Sequence, residues 1–198
     1  MAELRLYHSL IDPDSLSDWL HEHYALAELR QCRLIRMGLN DTYEVQSATQ
    51  KYIVRIYRLA WRSQALIQAE ASALQWLQSK QVPIAALVLA KDGAALKSFS
   101  APEGLRTIAV FDYVEGQALE LDGEQAFAYG RALANLHGAS DDFRFSTPRF
   151  CLDEAHLITE PLQHIERAFG HHRAEIRHLQ AIAKAATLIF QALPQTTP

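Results

Sequence analysis

A chain of 198 residues with 49% hydrophobic and 21% charged residues has the composition of a soluble globular protein, long enough for one domain or two small lobes. A formal net charge of -4 with no long basic run argues against a general nucleic-acid binder. No stretch approaches the roughly 20 apolar residues of a membrane span, and "MAELRLYHSLIDPDS" lacks the charged-then-apolar layout of a secretory signal.

In chain order, "DPDSLSDWLHEHYAL" opens with acceptor-rich capping residues. It then places Leu16, Trp19, Leu20 and Tyr24 at helical spacing. Strands are expected at about 31–37, 42–48 and 51–58, joined as antiparallel hairpins by "GLND" and "SATQK". A helix is expected from Ser63 to Ser79, ended by "KQVP". "AALVLAKDG" (85–93) and "LRTIAVFDYV" (105–114) read as two further strands. "EGQALELDGE" reads as a linker into the helix "EQAFAYGRALANLHG", capped by Asp122 and terminated at Gly138. From Asp153 onward the pattern is helical, with a break at "FGHH". Strands confined to the first 115 residues and helices thereafter define an α+β protein: a sheet-bearing lobe followed by the start of a helical one. The expected division is 1–115 and 116–198.

Two positions are incongruous. In the helix at 63–79, Glu70 shares a stripe with Ile67, Leu74 and Leu77, so a carboxylate faces the core, where an unpaired charge is costly. In the strand at 51–58, period two puts Arg55 on one face with Ile53 and Tyr57. Arg55 is therefore the expected partner of Glu70. The plain reading is a structural ion pair or a snorkelling arginine. The sharper one is a cation held for a nucleotide phosphate, as a strand cation and helix glutamate do in protein kinases.

The order "GLNDTYEV…KYIVRIYR…AEASALQWLQSKQVPIA…AVFDYVEGQAL…GRALANLHG" resembles the aminoglycoside phosphotransferase and choline kinase-like family over roughly residues 30–140. The resemblance implies a protein kinase-like N-terminal lobe, a five-stranded antiparallel sheet with helices, that binds ATP. By it, Arg55 stands at the phosphate-binding cation and Glu70 at its partner. Gly38, Asn40 and Thr42 lie in the loop covering the nucleotide, and Asp112, Tyr113 and Val114 form the hinge. Arginine in place of the family's frequent lysine keeps the charge and adds a rigid fork.

The family's chemistry needs an H-x-D-x-x-x-x-N motif and a second Asp for Mg2+. Asn occurs only at 40 and 135; Asp after residue 120 occurs only at 122, 141, 142 and 153, none with Asn five residues later. No catalytic or metal-binding residue is therefore assigned, "LHGASDDF" with His137 and Asp141 included. The expectation is a member cut short ahead of its catalytic loop, inactive alone, with Mg2+ needed only in a complete member. The alternative is a catalytically dead fragment serving as a binding or scaffold module. His164, His171, His172 and His178 read as a solvated surface rather than a metal site. Cys32 and Cys151, far apart, read as reduced thiols of a cytoplasmic protein. In the last helix, Ile176, Leu179, Ala183, Ala186, Phe190 and Leu193 form an apolar stripe, expected to drive self-association or to pack on a missing helical lobe.

Overall fold

The computed structural model describes residues 8–118, 122–147 and 152–193, so linker residues 119–121, Cys151 and most of "ALPQTTP" lie outside the described residues. The chain divides into two compact units, 1–147 and 148–198.

The first unit begins with helix α1, Pro13–His23. Asp12 caps it by accepting from the Ser15 amide, and Pro13 takes the first turn, where its missing N–H costs nothing. Three antiparallel strands follow, β1 Leu29–Arg36, β2 Asn40–Ser47 and β3 Lys51–Tyr57, then helix α2, Gln64–Ser79, capped by Ser63. Strands β4 Lys97–Ala101 and β5 Gly104–Asp112 complete a five-stranded antiparallel sheet of order β1-β2-β3-β5-β4.

The fifth strand is not where the apolar run "AALVLAKDG" suggested. Residues 86–88 lie along β5, with Val88 N–H donating to Val110 O and Asp112 N–H to Ala86 O, but they form only an isolated bridge, Leu87 to Phe111. The chain then turns away at 90–93, where Gly93 has φ +82°. The strand is the more polar "KSFSA", paired with β5 through a tight turn. Gly104 there has φ +139°, and a Cβ on it would lie 3.1 Å from Leu59.

Burial alternates along β2 and β3, so the sheet has two differently covered faces. On one, Leu16 and Leu20 of α1 and Tyr24 just after it pack with Tyr43, Val45, Val54, Ile56 and Val110, as the helical spacing predicted. On the other, Ile67 and Ala71 of α2 meet Tyr57, Ala109 and Phe111. Helix α3, Gly123–Ser140, is capped by Asp122 and runs two residues past the expected stop at Gly138, whose φ is not left-handed. Trp76 of α2 donates its indole N–H to Ala139 O at 2.9 Å.

The second unit is a π-helical turn, Ala155–Thr159, and helices α4, Glu160–Phe169, and α5, Arg173–Ala192, with the break at 170–172 where "FGHH" placed it. Ile176, Leu179, Ala183, Ala186 and Phe190 are the half-buried positions of α5 in the predicted stripe; Leu193 is exposed. Among the described residues no helix is long and apolar enough to cross a membrane.

Candidate nucleotide site

Strand register assembles the site. Thr42 pairs with Arg55, and Asn40 with Tyr57, so all four side chains share one face of the sheet. Arg55 in turn pairs with Ala109 of β5, and its guanidinium carbon stands 4.9 Å from the Phe111 ring centroid. That ring supports the flat cation from below.

Glu70 of α2 meets Arg55 on this face. Arg55 Nη1 donates to Glu70 Oε1 at 3.0 Å, with the side chains 35% and 20% exposed. Two further donors converge on the same carboxylate: Tyr57 Oη on Oε1 at 3.2 Å and Arg62 Nη1 on Oε2 at 2.6 Å. Burial, then the negative charge of Glu70, pushes the Tyr57 hydroxyl up to about 12. The ion pair was legible from period two in the strand and the stripe in the helix. Arg62 was not, because it precedes the helix cap, where no periodicity reports direction.

Two clefts border Arg55. The first, of about 400 Å³, has apolar walls from Ile53, Leu74, Ala85 and Phe111; Arg55 and Glu70 lie at one end and Asp112, Tyr113 and Val114 line the strand exit. The Asp112 and Tyr113 amides bond inside the protein, to Ala86 O and Lys51 O, while Val114 is exposed. The second cleft, of about 480 Å³, lies under the β1–β2 turn and is lined by Arg36, Met37, Gly38, Leu39, Asn40, Thr42 and Arg55. All eight residues singled out from the sequence thus line one of two clefts, and Arg55 lines both.

Asp41 points the opposite way from Asn40 and Thr42. Its Oδ2 accepts from Arg106 Nη2 at 2.7 Å, in a pair sealed from solvent, with His8 Nε2 3.2 Å away. Arg106 also donates to Tyr57 O and Ser9 O. The start of β2, which carries Asn40 and Thr42, is thereby tied to the end of β3 at Tyr57 and to the N-terminal segment. Nothing in the local pattern of "RMGLNDTYEV" marks Asp41 as buried; only its partner across the sheet does.

His137, Asp141 and Asp142 lie at the end of α3, and His137, Asp141 and Asp142 are all exposed. Among the described residues no three His, Cys, Asp or Glu side chains gather as a metal site. A rigid cation on a central strand, shared by an apolar cleft and a cleft under a hairpin turn, is the arrangement of a kinase-like phosphotransferase lobe.

Residues 31–198 match the phosphotransferase enzyme family (APH), and the chain belongs to it. It is 39% identical over 156 residues to an uncharacterised protein of Deinococcus radiodurans, covering 79% of this chain and 45% of that one. It is 33% identical over 194 residues to an uncharacterised protein of Synechocystis, covering 96% and 54%. The chain thus spans about half the length of these relatives. Among solved structures it is similar to a microcompartment-associated aminopropanol kinase (TM-score 0.61, 23% identity, 74% of this chain and 47% of that one). It is similar too to an amicoumacin kinase solved with AMP-PNP and Ca2+ (0.60, 18%, 71% and 43%), and to a spectinomycin phosphotransferase solved with ADP and spectinomycin (0.59, 14%, 79% and 47%). At these identities the likeness is one of fold.

Proposed function

We propose that this chain is the nucleotide-binding part of an ATP-dependent phosphotransferase acting on a hydroxyl of a small molecule or protein. The observation that carries the reading is the position of Arg55, common to both clefts and backed by Glu70. The purine enters the apolar cleft lined by Ile53, Leu74, Ala85 and Phe111 and meets the strand exit at exposed Val114. The phosphates run under the 37–42 turn, past Asn40 and Thr42, onto the guanidinium, whose fork suits phosphate oxygens. Residues to about 115 are the nucleotide-binding lobe; those from 116 are linker and helical lobe.

Gly38 supports this path. Its φ is ordinary and a Cβ on it would meet nothing within 4 Å, so the fold places no demand for glycine there. A phosphate passing close to the backbone does.

No Asp is followed five residues later by Asn, and the described residues gather no metal-ligand cluster. We propose that the 198-residue chain binds ATP without transferring its phosphate. The test is titration with a fluorescent ATP analogue, beside an assay of ATP turnover with Mg2+. Saturable binding that Arg55→Ala weakens at least tenfold, without turnover, is the expected result. No binding, or binding indifferent to Arg55→Ala, would sink the reading.

A further inference from the structure

Glu70 is held by more than its expected partner. Oε1 receives Arg55 and Tyr57; Oε2 receives Arg62 at 2.6 Å, shorter than the 3.0 Å of the Arg55 bond. Tyr57 and Arg62 are the two added donors. Both line a separate cleft of about 320 Å³ that includes Gln64 and Ile67, and neither lines the two clefts that Arg55 borders. Two arginines on one carboxylate also leave the cluster with a net positive charge.

We propose that Arg62 and Tyr57 are positioning residues for Arg55. The inference rests on the nucleotide-binding reading above. If Arg55 alone satisfied Glu70, drawing its guanidinium onto a phosphate would strand a half-buried carboxylate, which opposes the movement. Here Oε2 keeps Arg62 and Oε1 keeps the Tyr57 hydroxyl, so Glu70 stays in place and neutralised while Arg55 shares itself with the ligand. Holding Glu70 still also fixes where Arg55 begins, which lowers the ordering cost of binding. Arg62 touches no nucleotide in this arrangement; it acts through Glu70.

The experiment compares ATP with adenosine on the full chain carrying Arg62→Ala, Arg62→Lys, Tyr57→Phe or Arg55→Ala. Nitrogen-15 NMR of the Arg55 Nε–H, assigned with Arg55→Lys, is recorded without ligand. Arg62→Ala is expected to weaken ATP roughly 3- to 10-fold, leave adenosine unchanged and broaden the Arg55 signal, with Arg62→Lys recovering most of both. Tyr57→Phe should act in the same direction and more weakly. Unchanged ATP affinity in Arg62→Ala, beside a loss in Arg55→Ala, would overturn the positioning role and leave the nucleotide reading standing. So would an equal loss of ATP and adenosine, which marks general damage. If the wild-type chain binds no ATP, the nucleotide reading fails, and an Arg55 signal indifferent to Arg62→Ala would overturn the positioning role independently.

Discussion

Arg106 of β5 and Asp41 of β2 form an ion pair at 2.7 Å with side chains 0% and 1% exposed, on strands that are not neighbours in the sheet. The pair does what strand pairing cannot: it links β2 directly to β5 across β3, and Arg106 also holds Tyr57 O at the end of β3 and Ser9 O. Removing Arg106 leaves Asp41 buried with only His8 beside it, whereas removing Asp41 leaves Arg106 with Glu103 at 3.5 Å and two carbonyls. Arg106→Ala is expected to lower stability by about 3–5 kcal/mol in urea unfolding, and Asp41→Ala by less, because Arg106 keeps Glu103 and two carbonyls. Asp41→Leu with Arg106→Met should cost less than Arg106→Ala alone, because Asp41 is no longer left uncompensated, although Glu103 still loses its cation. A loss under about 1 kcal/mol for either single variant would show the pair to be incidental.

The Arg55–Glu70 pair is wetter, so its expected coupling is smaller. A double-mutant cycle should give about 1–2 kcal/mol. Glu70→Ala alone should cost about 2–3 kcal/mol, since Arg55, Arg62 and the buried Tyr57 hydroxyl all lose an acceptor. Coupling near zero would refute the pairing.

Gly38→Ala separates fold from ligand. With ordinary φ and open space around it, the substitution should leave stability within about 0.5 kcal/mol. ATP affinity should fall several-fold while adenosine affinity holds. Equal affinities for ATP in the two proteins would remove the turn from the phosphate path.

Stability should be lost at both ends of the pH scale, by different groups. Tyr24 and Tyr57 are raised to about 12, each chiefly by burial, then by Asp92 and Glu70 respectively. Below pH 10 both are neutral folded or unfolded, and their contribution is complete. Between pH 10 and 12 the unfolded chain loses these protons first, so stability falls, by about 1.4 kcal/mol per unit for each tyrosine. Glu103 runs the other way. Burial raises it, but the Ser9 hydrogen bonds and the Arg106 charge outweigh burial and leave it below the usual carboxylate value. Its contribution is complete above the unfolded value and disappears as pH falls through the lower folded one. Urea unfolding at pH 7, 10.5 and 11.5 checks the first; Tyr57→Phe should flatten that slope. Ser9→Ala should move the acid limb upward.

Helix α5 exposes Ile182, Leu188 and Ile189 beyond its half-buried stripe, and α3 exposes Phe127, Tyr129 and Leu133. Apolar surface of this kind drives association. Light scattering over a concentration series is expected to show mass rising with concentration, reduced by Leu188→Lys with Ile189→Lys. A strictly monomeric chain with strongly protected amides in α5 would contradict this.

The sequence by itself determined the elements with strong local rules. Asp12, in the acceptor-rich opening, and Asp122 cap their helices as read, because each signal is complete within four residues, while Ser63, read as the first helical residue, is the cap of α2. Period two put Arg55 on the face that α2 covers, and the 3.6-residue stripe turned Glu70 toward it, so the pair followed from two independent periodicities. Tertiary structure decided the rest. It placed the edge strand at Lys97–Ala101 rather than in the more apolar 85–93, because a bend at 90–93 turns that run away from β5 after one bridge. It buried Asp41, exposed in no local pattern, because Arg106 waits 65 residues away. It brought Arg62 onto Glu70 from a loop with no period to read. Periodicity reports which face a side chain takes; it is silent about which distant charge that face will meet.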